Sequence, residues 1–231
     1  METKVKSNQE IEQLIENLLF WVIMLVFIII EYDYMTFDSP LMCVFWFAGV
    51  LTIIPWIFRF NLPAGARKHI KRWFIPSNSA IDDSKLNQGI KEQSMQAVKI
   101  AIIWATFILI EGIMIHFDII TEKEVILGLV ILRIADRLFI MVWCPFGAIM
   151  NNKCCTSCRI YGWDQLMLNS PLVFFPSAFS YGLLALSFIP FVEWELAVRK
   201  HPERFSPSTN VAIRCSNCTS VCGRCKRINK W

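Results

Sequence analysis

Long apolar runs constrain this chain more than anything else in it: residues 11–30, 41–58, 97–117, 125–144 and 166–198 are each dominated by Ile, Leu, Val, Phe, Met and Trp. A hydrocarbon core about 30 Å thick takes roughly 20 such residues per helix, with a working range of about 17 to 25. Inside it the backbone must satisfy its own hydrogen bonds. A chain that is 55% hydrophobic and only 18% charged therefore reads as an all-α, polytopic membrane helix bundle and not as a soluble domain. The first run has no small-residue cleavage site, so it is expected to stay as an uncleaved anchor. The net charge of +4 sits beside apolar segments, where basic residues set orientation or meet anionic lipid; nucleic acid is not an expected partner.

The polar segments divide the chain into a transmembrane domain, 1–198, interrupted by a cysteine-rich loop at 144–164, and a cysteine-rich tail, 199–231. Residues 59–96 form the longest polar connection. In its first half Arg67, Lys68, His69, Lys71 and Arg72 flank Ile70, Trp73 and Phe74, a composition suited to the membrane interface. Its second half, SNSAIDDSKLNQGIKEQ, reads as a solvated loop or short helix. The run 166–198 is ambiguous. Crossing once, it splits the lysines and arginines twelve against nine; crossing twice, or re-entering, it gathers twenty of the 23 on one side and leaves Lys123 alone on the other. The positive-inside rule selects the second arrangement, in a cytoplasmic (inner) membrane with loop and tail both facing the cytoplasm. Pro171, Pro176 and Pro190, with Ser177, Ser180 and Gly182 between, are what a broken segment needs.

Four ionisable residues lie at membrane depth: Glu111 in the third run and Arg133, Asp136 and Arg137 in the fourth. Positions three and four apart share a helix face, so Asp136 is expected to pair with Arg133, while Arg137 snorkels or meets Glu111. Such groups are costly in lipid and turn toward the bundle interior, which makes the four either a packing network or a proton or quinone pathway.

Eight of the nine cysteines fall in two groups, Cys144, Cys154, Cys155 and Cys158 in the loop and Cys215, Cys218, Cys222 and Cys225 in the tail. The ninth, Cys43, sits alone in the second run and reads as a packed small hydrophobe. On the reducing face of a membrane, clustered thiols point to metal before disulfide. The tail spacing, C-x2-C-x3-C-x2-C, leaves too few residues between its halves for an ordinary zinc ribbon. Closely spaced thiolates completed by a distant Cys-Pro suit iron–sulfur clusters, and Cys144 is followed by Pro145. The eight thiols would serve one or two clusters of the 4Fe-4S type, loop and tail contributing jointly. A zinc staple between loop and tail, and thiol–disulfide exchange at Cys155/Cys158 or Cys215/Cys218, are the alternatives.

The segment MVWCPFGAI around Cys144 resembles the CPxGA signature of membrane-bound ferredoxin-type proteins of nitrate and nitrous oxide respiration and of copper-oxidase assembly. That resemblance, confined to 137–149, implies a transmembrane helix ending in cluster-ligating cysteines on the cytoplasmic side. The chain departs from it where the family has a cysteine four positions before the Cys-Pro; here that position is Ile140.

Other chemistries lack their residues. With three histidines, and only His116 at membrane depth, the residue supply argues against bis-histidine haem. There is no phosphate-binding glycine loop, GxSxG, HExxH or EF-hand pattern. The expected function is one-electron relay between a redox protein partner and a membrane partner or quinone.

Overall fold

The computed structural model describes residues 2–36, 39–60, 62, 64–77, 82–142, 144–150 and 158–214, the side chains of residues 2–11 and 64 excepted. Within these, eight α-helices succeed one another: α1 (Glu2–Ile30), α2 (Pro40–Phe58), α3 (Ala64–Arg67), α4 (Asp83–His116), α5 (Glu122–Met141), α6 (Phe146–Ile149), α7 (Asp164–Asn169) and α8 (Ala178–Lys200). The one β-feature among the described residues is an isolated antiparallel bridge between Pro76 and Asn210. The all-α expectation holds, and four helices are long and apolar enough to cross a membrane: α1 over Glu12–Ile30, α2, α4 and α8. Helix α5 carries too much charge to join that set, yet it packs along α1 inside the bundle.

Two helices exceed the lengths expected of them. Helix α1 continues back to Glu2 through the polar N-terminal residues. The second half of the 59–96 connection, expected as a solvated loop or short helix, forms the first turns of α4 from Asp83 onward, so that 34 residues make one rod about 51 Å long. Asp82 starts it: its carboxylate accepts from the Ser84 and Lys85 amides at 3.2 and 3.3 Å. Lys85, Gln88, Lys91 and Glu92 then favour helix over loop. Cys43 also differs from expectation, standing exposed on the outer surface of α2.

The ambiguous run 166–198 resolves as a broken hairpin. Helix α7 passes into a 3-10 turn, Ser170–Phe174, an extended stretch follows, and α8 begins behind Ser177, whose hydroxyl caps the Ser180 amide at 3.0 Å. The incoming limb lies antiparallel along α8. Arg159 meets Glu195 at 2.6 Å near one end, and Asn169 meets Ser187 at 2.6 Å further along. Contact is close at Gly162, where a Cβ would fall 2.5 Å from the Trp194 ring.

These contacts define two ends of the bundle. At one, the α1–α2 and α4–α5 turns touch: Lys123 Nζ donates to the Asp33 carbonyl at 2.8 Å and the Tyr32 hydroxyl to Glu124 at 2.5 Å. At the other lie Arg59, the 64–77 connection, the return from the cysteine loop at Arg159, and residues 201–214. Arg59 faces Glu193 at 3.5 Å, and the Val211 amide donates to the Ile75 carbonyl at 2.8 Å. Lys123 is the single lysine or arginine of the first end among the described residues.

The main core, with Trp21, Phe45, Ile53, Ile126, Leu129 and Leu183 fully buried, joins α1, α2, α5 and α8. At the basic end a second cluster joins Trp56, Leu62, Trp194, Val198 and Phe205, and a third packs Ala97 and Ile100 of α4 against Met150, Cys158 and Ile160.

Candidate functional site

Three groups of polar or reactive side chains occupy the basic half of the bundle. The deepest centres on Arg133, which is completely buried. Its guanidinium donates to Gln165 Oε1 at 3.0 Å and to Asn169 Oδ1 at 2.5 Å, and it lies 5.5 Å from the centre of the Trp21 ring. The contacts spread to every neighbouring helix. Asn169 donates to Ser187 Oγ at 2.6 Å, Ser187 to the Leu183 carbonyl at 2.7 Å, and Thr52 to Gln165 Oε1 at 3.1 Å. One buried cation thus ties α2, α5, α7 and α8 together through neutral oxygens.

The expected Arg133–Asp136 pair does not form. Asp136 lies 3.7 Å from Arg137, and Arg133 turns to the amides of α7. Residues three apart on a helix are offset by about 60° around its axis, enough to aim Arg133 inward and Asp136 toward α7 and the loop. Glu111 joins neither: among the described residues its buried Oε2 has no hydrogen-bond partner, and the adjacent Gly112 lacks a Cβ where Phe174 packs. The four membrane-depth residues are therefore not one contact network.

The second group is a cavity of about 120 Å³ between α4, α5, α6 and α7. Cys144 and Cys158 both line it, with Trp104, Phe139, Asp136 and Asp164. Cys144 follows the end of α5, its carbonyl accepting from Gly147 at 3.1 Å, and Cys158 is 6% exposed. Fourteen positions apart in sequence, these two thiols are brought to one chamber by the turn through α6 and the return against α4. Cys154 and Cys155, and all four tail cysteines, lie outside the described residues. Among the described residues no three His, Cys, Asp or Glu side chains are grouped closely enough to hold a metal ion.

The third group clamps the chain directly after Cys158. Arg159 forms a two-pronged pair with Glu195, both contacts 2.6 Å, and Trp163 Nε1 donates to the same carboxylate at 2.6 Å. Trp194 Nε1 donates to the Arg159 carbonyl at 2.7 Å. On the far side of Trp194 the base of the tail is docked: Phe205 stacks on His69 at 4.6 Å, and both rings meet the Trp194 indole edge-on. Asn210 donates to the carbonyls of Lys68 and Arg204, and Arg214, the last described residue, donates to Ser77 and to the Pro207 and Ser208 carbonyls.

Sequence reasoning missed Gln165, Asn169, Ser187, Arg159 and Glu195. The first two carried a signal, two amides four apart within an apolar run, which is the spacing of a helix face turned to a buried polar partner. The Arg159–Glu195 pair carried none, since nothing local links residues 36 apart. No protein family, curated protein or solved structure matches this chain.

Proposed function

We propose that this chain is an integral membrane iron–sulfur protein that relays electrons between a protein partner at the basic end of the bundle and a quinone or other partner within the membrane. The observation that carries the reading is the shared cavity of Cys144 and Cys158. Two thiols from opposite ends of the loop converge on one chamber, and the tail base is docked at the same end of the bundle through Trp194 and Phe205. This supports a joint site in which Cys144 and Cys158 act with Cys154, Cys155 and the tail cysteines Cys215, Cys218, Cys222 and Cys225. The cluster would supply one-electron chemistry; the chain supplies thiolate charge, burial and hydrogen bonds, which together set its potential. By the positive-inside rule, the basic end faces the cytoplasm of an inner membrane.

A structural zinc site is the second reading. The same thiols could serve it, with Cys158 buried and the chain after it held to α8 by the Arg159–Glu195 pair and the Trp163 and Trp194 indoles. Anaerobic purification of the full chain separates the two. Iron with sulfide, and broad visible absorption bleached by dithionite, are expected. Cys144→Ser, and a chain ended at Arg214, should each lose most of that iron. Stoichiometric zinc without iron would select the staple, and full iron in the shortened chain would show the loop to be self-sufficient.

A further inference from the structure

A second cavity, of about 400 Å³, opens at the basic end where α2 and α8 leave the apolar part of the bundle. Four segments build it: the end of α2, the 59–71 connection, the last turns of α8 and the base of the tail. Its floor is apolar and aromatic, with Trp56, Leu62, Ile70, Trp194 and Phe205. Its charged lining is one-sided: Arg59, Lys71, Lys200 and Arg204 stand around it with His69 and His201, against the single carboxylate of Glu193. Glu193 is taken up by Arg59 at 3.5 Å, and Arg204 has Glu203 at 3.9 Å. His201 also faces Glu203, at 3.2 Å. Lys71 and Lys200 are exposed and carry no ion pair among the described residues.

The shape of the cavity selects an amphiphile over a soluble anion. From Lys200 down to Pro190 it follows α8 for ten residues, about 15 Å. It thus runs from the level of the lysines into the part of α8 where Leu196 and Ile189 are 46% and 40% exposed on the outside of the bundle. Lysines at the Lys200 end and the apolar Trp56, Pro190 and Leu196 toward the other, where Arg59 and Glu193 neutralise each other, match a lipid with a phosphate headgroup, and a phosphate between Lys71 and Lys200 gains a Coulombic partner that neither has among the described residues.

We propose that this cavity binds one anionic phospholipid, its phosphate held by Lys71 and Lys200 with Arg204 alongside, and its acyl chains lying along α8. Lipid bound there would bridge α2, α8, the basic connection and the tail base, and so brace the platform from which the tail departs. The proposal is independent of the metal reading.

Native mass spectrometry of the full chain in detergent tests it, using dioleoyl phosphatidylglycerol against dioleoyl phosphatidylcholine. Saturable retention of one phosphatidylglycerol is expected, without matching retention of phosphatidylcholine. Lys71→Gln/Lys200→Gln should weaken it about tenfold or more, with circular dichroism and detergent-only melting unchanged. Arg72→Gln, at a cation outside the cavity that lies over the Trp73 ring at 5.9 Å, should leave retention as it is. Equal retention of both lipids overturns the proposal, as does equal weakening by Arg72→Gln, which would mean diffuse surface charge. Displacement of the lipid by millimolar inorganic phosphate also overturns it, in favour of a soluble anion.

Discussion

Arg133 shows how a cation is kept in the centre of a membrane bundle without a contacting carboxylate. Its partners Gln165 and Asn169 present carbonyl oxygens at 3.0 and 2.5 Å, and the Trp21 ring at 5.5 Å adds a cation–π contact. Removing one acceptor strands a buried charge, so Asn169→Leu should cost about 1.5 to 3 kcal/mol, the usual worth of a hydrogen bond to a charged group. Removing both sides of the contact should cost less than the sum of the parts, because a buried polar pair replaced by apolar groups of similar volume is often close to neutral. Unfolding in detergent of Asn169→Leu, Arg133→Met and the double variant measures this as a coupling energy. A fully additive double variant would show that the contact does not hold the helices.

At the scale of elements, the long α4 and the broken hairpin position everything else. Helix α4 reaches beyond the apolar core because Asp82 caps it, taking the Ser84 hydroxyl at 2.6 Å, two backbone amides, and the Lys85 ammonium at 3.1 Å. The Ser84 hydroxyl first, and then Lys85, hold the Asp82 carboxyl below its ordinary value of 3.8. A carboxylate whose folded-state pKa is depressed stabilises the fold fully above its unfolded value and loses that contribution as pH falls through the folded value. Amide hydrogen exchange over the first turns of α4 should therefore show protection that is constant above about pH 5 and declines below about pH 4. In Asp82→Ala protection should be lower at neutral pH and lack that acid decline; an unchanged decline in the variant would assign it to another group. The hairpin has a different logic. Its incoming limb is too short and too proline-interrupted to be an independent crossing helix, and α8 completes it by pairing Arg159 with Glu195 and Asn169 with Ser187.

For the whole molecule, the contacts sort the chain into a basic end and an end with Lys123 alone among the described residues. Reporter fusions placed after Cys158 and at the C-terminus should therefore report the same compartment, and a fusion in the turn after His116 the opposite one. Loop and tail reporters in different compartments would remove the basis for a joint cysteine site and raise the disulfide-exchange reading. Tyr161 lines the cavity of Cys144 and Cys158, Trp194 lines the second cavity, and the two rings lie 6.3 Å apart.

The membrane class, the helices and the gathering of charge at one end were legible in the amino-acid sequence, because hydropathy, run length and charge bias are local properties that a bilayer reads one segment at a time. What only the tertiary structure decided depends on directions and on contacts distant along the chain. It turned Arg133 toward Gln165 and Asn169 although Asp136 lay three residues away. It broke the run 166–198 at Phe175, where Pro176 removes an amide donor and α8 offers a face to lie against. It brought Cys144 and Cys158 to one cavity and built another from four separate segments, since the orientation of a side chain on a helix is settled by the helices packed around it and not by spacing alone.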